Sequence, residues 1–384
     1  MLYKWAKLLS LAVLLNGLCP PAQANTTIAA AAAGDVANPT IPIASIALLL
    51  PSRSGPLGAA AEALRAGFVA AYERDKSGLA LTVIEAADTP ADMLSTYLAA
   101  SENHDILVGP LSRTGITAIV RSGKIVKPTL ALTQPDFAGD KETALPPQLL
   151  PIGLSLEAEA RQVANWVSAD FAPGKAFVLS TSTAWQRRAA SAFVQQALSH
   201  GLHSAQMTLR TDGAMLNAAG LAQLQQRIQS EKPQLLFAAL NADQARQVRS
   251  AIDAEIPIYG ISQLNPLLPN DNNQEHRLPE LDGVRLLDIP WLVQPDHPAV
   301  MIYPRTISDP DQQRNADLER LYALGIDAFR IAREVAARNT AFQVDGVTGK
   351  LDVHFGIGVD NPGFERVEPA AVYRDGVVVP LDER

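Results

Sequence analysis

Ile43-Ala44-Ser45-Ile46-Ala47-Leu48-Leu49-Leu50 runs straight into Pro51-Ser52-Arg53-Ser54-Gly55, and beyond it the pattern changes. A short apolar run closed by a turn reads as a buried strand. From Gly58 to Asp75, Leu57, Ala61, Leu64, Phe68 and Tyr72 recur at helical spacing, which gives a helix with one apolar face. The unit then repeats. Leu79–Ile84 is a strand, Pro90 to Glu102 a helix with proline in its first turn, Ile106–Val108 a strand, Thr114–Ser122 a helix and Pro128–Leu132 a strand.

A second run follows the same rhythm. Strands are expected at Leu149–Gly153, Ala176–Ser180, Ala205–Leu209, Leu235–Ala239 and Pro257–Tyr259. Helices are expected at Glu157–Asp170, Ala184–His200, Ala218–Ser230 and Asp243–Ile252. Short apolar strands alternating with helices mean parallel sheets covered on both faces, an α/β fold. Two such runs imply two α/β lobes. The rhythm breaks at Asn265–Asp282, rich in Asn, Asp and Pro, and again in a proline-rich loop from Pro290 to Pro310. A long helix, Ala316–Arg338, and a tail of hairpin or edge strands over Phe342–Leu381 complete the chain.

The chain has 384 residues, 47% of them hydrophobic, a net charge of −8 and one cysteine. That length fits two domains with sizeable cores. The acidic balance argues against nucleic acid, whose binding rests on neutralising phosphates. One cysteine excludes a disulfide framework and Cys-based zinc fingers. Lys4 and Lys7, the apolar Leu8–Leu15 and Ala22-Gln23-Ala24 read as a secretory signal cleaved after Ala24. The apolar stretch is too short to span a bilayer, so no transmembrane segment is expected in the mature chain. Cleavage removes Cys19, leaving a thiol-free chain suited to an oxidising compartment. Leu18 before Cys19 is not the small residue an acylation signal requires, so a periplasmic location is expected ahead of a lipid anchor. Residues 25–42 read as a flexible linker.

No reactive constellation is found. None of the six histidines forms a His-Glu-x-x-His pair. There is no Gly-x-Ser-x-Gly elbow or phosphate loop, and Gly356-Ile357-Gly358 lacks the strand-then-helix context of a dinucleotide fingerprint. Asp309-Pro310-Asp311 opens like a calcium loop, but Arg314 stands where the sixth-position glycine is needed. Glu157/Glu159 and Asp317/Glu319 fall in first turns of helices, where they favour the helix N-terminus. No catalytic residue, metal or cofactor is expected.

Site candidates are the loops after strand C-termini, where open α/β sheets bind ligands. In the first lobe these are Ser52, Arg53 and Ser54; Ser112, Arg113 and Thr114; and Thr133 and Gln134. In the second they are Ser182, Trp185 and Ser262. Ser112 or Thr114 caps the following helix, a role compatible with holding a carboxylate beside Arg113. Trp185 is read first as packing and second as a stacking surface. Arg53 and Arg113 suggest an anionic or amino-acid-like ligand.

The order of segments resembles a type I periplasmic-binding-protein fold, two Rossmann-like lobes joined by a three-segment hinge. Five stretches narrow the likeness: 153–161 (Gly-Leu-Ser-Leu-Glu-Ala-Glu-Ala-Arg), Trp185-Gln186-Arg187-Arg188, Asp288-Ile289-Pro290-Trp291-Leu292, 320–329 (Arg-Leu-Tyr-Ala-Leu-Gly-Ile-Asp-Ala-Phe) and Gly346-Val347-Thr348-Gly349-Lys350-Leu351. Together they resemble the C-terminal domain of the penicillin-binding protein activator family, the LppC/LpoA type, over about Ile43–Leu381. The resemblance implies lobes at 43–153 with 291–340 and at 154–290 with 341–384. It also implies a non-enzymatic periplasmic protein that binds a class A penicillin-binding protein and stimulates peptidoglycan synthesis. Family members usually carry a helical-repeat domain ahead of the lobes, where here the linker stands. The alternative is a solute-binding protein that captures an amino acid or small peptide for an ABC transporter. Within the matched motifs, Gly325 is expected to bring the long helix close to a sheet, Asp327 to be either paired in the interior or exposed, and Gly346 and Gly349 to form positive-φ turns.

Overall fold

The computed structural model describes residues 43–76, 78–86, 89–136, 145–266, 277–305 and 315–381. The signal and linker expected over 1–42, most of the 265–282 excursion and the calcium-loop likeness at 309–314 lie outside them.

Five parallel strands form the first sheet: β1 (Ala44–Pro51), β2 (Leu79–Ala86), β3 (Ile106–Val108), β4 (Thr129–Ala131) and β5 (Leu149–Pro151). Their order is β2-β1-β3-β4-β5, which reverses direction at β1 as in doubly wound folds. The opening apolar run serves both faces of this sheet. Ile46, Leu48 and Leu50 enter one core, and Ala47 and Leu49 enter the other. Helix α1 (Gly58–Arg74) covers the first face, and α2 (Pro90–Asn103) with α3 (Arg113–Arg121) covers the second.

The second sheet orders its strands β17-β16-β12-β11-β10-β6-β7. The strands β6 (Lys175–Ser180), β7 (His203–Thr208), β10 (Leu235–Ala238), β11 (Ile258–Gly260) and β12 (Arg285–Leu287) are parallel. The strands β16 (Ala370–Arg374) and β17 (Val377–Pro380) add an antiparallel edge. Helices α4 (Leu156–Phe171), α5 (Ala184–Ser199), α6 (Ala218–Glu231) and α7 (Ala242–Ala251) flank it. Phe177 and Leu179 of β6 enter one core, and Ala176 and Val178 the other.

Two features had no counterpart in the apolar pattern, and the expected hairpin and edge strands of the tail take a definite form. A hairpin of β8 (Thr211–Asp212) and β9 (Met215–Leu216) lies between β7 and α6. The proline-rich loop contains α8 (Pro290–Val293) and α9 (Pro298–Met301), both begun by proline at the first helical position, where its missing N–H is harmless. The tail splits into a three-stranded antiparallel sheet, β13 (Ala341–Asp345), β14 (Lys350–His354) and β15 (Gly363–Val367), and the β16–β17 edge. Val344, Val347, Leu351, Val353 and Phe355 join the first core, while Ala371 and Tyr373 join the second.

The long helix α10 (Ala316–Ala336) packs on α1, and glycine makes this possible on both sides. A Cβ on Gly67 would lie 1.9 Å from Tyr322 O, and one on Gly325 would lie 2.1 Å from Leu64 O. The close approach expected of Gly325 is therefore to a helix, not to the sheet. Phe329 then meets Phe68 and Tyr72 edge-on, at centroid distances of 5.4 and 5.7 Å.

The chain passes from the first core to the second after β5, returns after β12, and passes over again between β15 and β16. These three crossings realise the expected type I periplasmic-binding-protein architecture.

Candidate functional site

In the strand-end loops of the first sheet, Ser52, Arg53, Ser54, Ser112 and Thr114 turn their polar side chains to neighbours. Ser52 and Ser54 hydroxyls lie 3.0 Å apart, and Arg53 pairs with Glu85 at 2.9 Å and Glu62 at 3.6 Å. Ser112 caps α3, its Oγ accepting from Gly115 N at 3.3 Å and lying 3.0 Å from Thr114 Oγ1. Arg113 opens α3 and is half-buried, as are Thr133 and Gln134 after β4.

The second sheet differs. Ser182 is exposed, and Trp185 is half-buried against the core of α4 and α5, which is the packing role. The polar chemistry belongs to neighbours that the sequence did not single out. Gln186 Oε1 accepts from Thr181 N and Oγ1 at 2.9 and 2.6 Å, and its Nε2 donates to Gln244 Oε1 at 2.8 Å. Gln244 Nε2 in turn donates to Ala214 O at 3.0 Å, tying the β8–β9 hairpin to the strand ends. Among the described residues no hydrogen bond joins the first-sheet candidates to the second-sheet ones. A hollow of about 510 Å³ lined by Gln225, Ile228, Gln234, Ile252 and Ile256 lies at the N-terminal ends of β10 and β11, opposite the edge where open α/β sheets bind ligands.

Ser262 alone among the candidates enters a larger construction, a buried polar network on the three crossings. Its backbone N–H donates to Glu159 Oε2 at 2.9 Å, and its carbonyl accepts from Arg320 NH2 at 2.8 Å. Arg320, 5% exposed, closes on Asp288 at the second crossing, Nε to Oδ1 at 3.0 Å and NH2 to Oδ2 at 2.8 Å. Burial alone would lower the Arg320 pKa, but the Asp288 carboxylate outweighs it and the guanidinium is held above its ordinary value. Arg320 also reaches Asn265 O at 3.0 Å and Asp317 Oδ1 at 2.9 Å.

Asp327 resolves its alternatives toward the interior. It is fully buried, accepts from Val347 N, Thr348 N and Thr348 Oγ1 at 3.2, 2.7 and 2.7 Å, and pairs with Arg330 at 3.2 Å. Gly346 is required by this cradle, since its Cβ would stand 2.5 Å from Asp327 Oδ2. Of the two glycines expected to supply positive φ, Gly349 does so at 137° and Gly346 does not. Thr348 Oγ1 accepts from Arg366 Nε at 3.1 Å, and Arg366 donates onward to Gly153 O and Ile152 O at the first crossing, at 3.0 and 2.7 Å. Two acids read as helix-terminus residues turn out to be interior. Glu159 belongs to this network, and Glu319 accepts the Trp291 indole N–H at 2.7 Å.

The family model described as "LppC putative lipoprotein" matches residues 21–360. The chain belongs to the LppC family. The penicillin-binding protein activator LpoA of Vibrio cholerae is 28% identical over 341 residues, 80% of this chain and 54% of that protein. LpoA of Photobacterium profundum is 25% identical over 377 residues, 88% of this chain and 57% of that protein. The LppC-family chain thus spans about half the length of the curated relatives it matches. The LpoA C-domain of Haemophilus influenzae, described as a regulator of PBP1A, superposes with a TM-score of 0.69 at 21% identity, covering 88% of this chain and all of that one (100%). A Chromobacterium violaceum structure described as "a putative branched-chain amino acid ABC transporter" gives 0.66 at 32% identity, covering 86% and 100%.

Four of the five stretches that carried the LppC likeness contribute members of the crossing network. Glu159, Asp288, Arg320, Asp327 and Thr348 each fall in one of the five quoted stretches, and each is buried. Among the described residues no helix is long and apolar enough to cross a membrane, and no group of three His, Cys, Asp or Glu is arranged to hold a metal.

Proposed function

We propose that this LppC-family chain is a non-enzymatic regulatory module of the periplasm that docks on a class A penicillin-binding protein and stimulates peptidoglycan synthesis. The observation that carries this reading is the family match over residues 21–360, with relatives named as penicillin-binding protein activators. The internal use of the strand-end polar groups supports it, because Arg53, Ser112, Thr181, Gln186 and Gln244 are already partnered within the chain. Export follows a signal at 1–24 and a linker at 25–42. The lobes are drawn at 43–153 with 291–368 and at 154–290 with 369–384, dividing the tail at the third crossing instead of giving 341–384 to the second lobe. Pull-down of detergent-solubilised class A synthases by the purified chain tests the docking; no retained synthase would overturn it.

The likeness to the Chromobacterium violaceum structure favours a second reading, capture of an amino acid or small peptide. Its site would be Ser52, Arg53, Ser54, Ser112, Arg113, Thr114, Thr133 and Gln134 on one side and Ser182, Trp185 and Ser262 on the other. Thermal-shift screening with amino acids and muropeptides separates the two, since a ligand that binds only the folded chain raises its melting temperature. A flat response across both sets would count against capture.

A further inference from the structure

Two buried acids meet at the third crossing. Glu159 on α4 is 4% exposed, and Glu368 between β15 and β16 is 5% exposed. Gln162, one turn along from Glu159, clasps the Glu368 backbone: Nε2 donates to Glu368 O at 2.7 Å, and Oε1 accepts from Glu368 N at 3.2 Å. The three-residue spacing on α4 sets Glu159 on the same face as that clasp. The charged groups facing the pair are Arg366 from β15, Arg320 from α10 and Asp288 from the end of β12. Asp327 also acts on Arg366, but Arg330 already meets its charge.

Within this set three carboxyls, Glu159, Glu368 and Asp288, face two guanidiniums. One negative charge is left over where water is excluded, and an unmatched buried charge is far costlier than a bound proton. The oxygens show where that proton goes. Glu159 Oε2 accepts a backbone N–H, whereas among the described residues Glu368 Oε2 has no hydrogen-bond partner. A buried carboxylate oxygen without a donor strongly favours the neutral acid.

We propose that Glu368 and Glu159 together hold one proton at neutral pH, and that its release charges the third crossing and loosens it, making the junction a proton-linked lock. Burial, the largest cause, raises Glu368 well above 4.5 and Glu159 to about 7, with neighbouring carboxylates pushing the same way. A folded value above the unfolded one means the fold binds the extra proton. Its stabilisation is full below pH 4.5 and fades as pH rises through about 7.

Denaturant unfolding of the full chain between pH 5 and 8 tests this, comparing wild type with Glu368→Gln and Glu159→Gln. One proton lost on unfolding corresponds to about a tenfold fall in the folding equilibrium constant per pH unit. Wild type should show that fall relative to Glu368→Gln, whose amide cannot ionise; parallel profiles would overturn the proposal. If neither variant folds, calorimetric unfolding of wild type near pH 6.5 in buffers of different ionisation enthalpy reads the proton directly. Release of about one proton is expected, and release of none overturns the idea. Hydrogen exchange at 152–154 and 366–369, corrected for intrinsic pH dependence, reads the loosening. Protection should fall from pH 6 to 8 in wild type, and unchanged protection would contradict it.

Discussion

Arg320 holds both oxygens of Asp288 in a buried pair, at 3.0 and 2.8 Å, joining the N-terminal part of the long helix to the second crossing between the cores. Such a pair adds little net stability over an apolar equivalent, but removing one partner leaves the other charged and dry. Arg320→Met should therefore cost about 3–5 kcal/mol in denaturant unfolding. A loss below about 1 kcal/mol, the size of an exposed ion pair, would show that Asp288 is not isolated from water.

The α1–α10 crossing leaves no room for a methyl group. Gly325→Ala drives Cβ to 2.1 Å from Leu64 O, which is backbone and cannot swing aside. A loss of about 1–3 kcal/mol or more is expected, as for overpacked cores. Gly67→Ala should do the same, and the double variant should lose less than the sum, because both relieve one contact by the same separation of helices. Strict additivity, measured by unfolding, would argue against a shared contact.

Asp327 satisfies two backbone N–H groups and a hydroxyl in the 346–349 turn. Asp327→Ala strands those donors in the interior, where each unsatisfied group costs about 1–3 kcal/mol. The turn also carries Thr348, which accepts from Arg366, so loss of Asp327 should raise hydrogen exchange at Val347 and Thr348 and at the first crossing. Exchange confined to the turn would separate the two.

On the acid side, Glu231 is held at about 2 by hydrogen bonds from Arg227 and Lys175, below its ordinary 4.5. A depressed folded value contributes stability above pH 4.5 that is lost as pH falls toward 2. Glu231→Gln should flatten that acid limb while leaving the slope between pH 5 and 8 unchanged. An altered slope above pH 5 would contradict the assignment.

The fold was legible because its strands and helices differ in apolar period, and Ile43–Leu50 followed by Leu57–Tyr72 shows both. The β8–β9 hairpin was not, since two-residue strands carry no period. Helices α8 and α9 were hidden because proline, read as a loop signal, also begins helices. The crossing network was invisible for a different reason. Glu159, Asp288, Arg320 and Glu368 are scattered over more than half the chain, and Glu159 in a first turn already had a sufficient explanation at the helix N-terminus. One signal was available: Arg320 and Asp327 stand on the apolar side of a long helix, where a charge needs a partner. The strand-end candidates follow the C-terminal ends of strands, but sequence does not reveal that Arg53 or Ser112 is already engaged.

The central claim is that this chain stimulates a cell-wall synthase, and a glycan-polymerisation assay tests it most directly. A purified class A penicillin-binding protein would be supplied with lipid-linked precursor, with and without the chain. The account predicts a faster rate of glycan synthesis that saturates with added chain. An unchanged rate at saturating chain, together with stabilisation by a free amino acid, would contradict it and leave solute capture in its place.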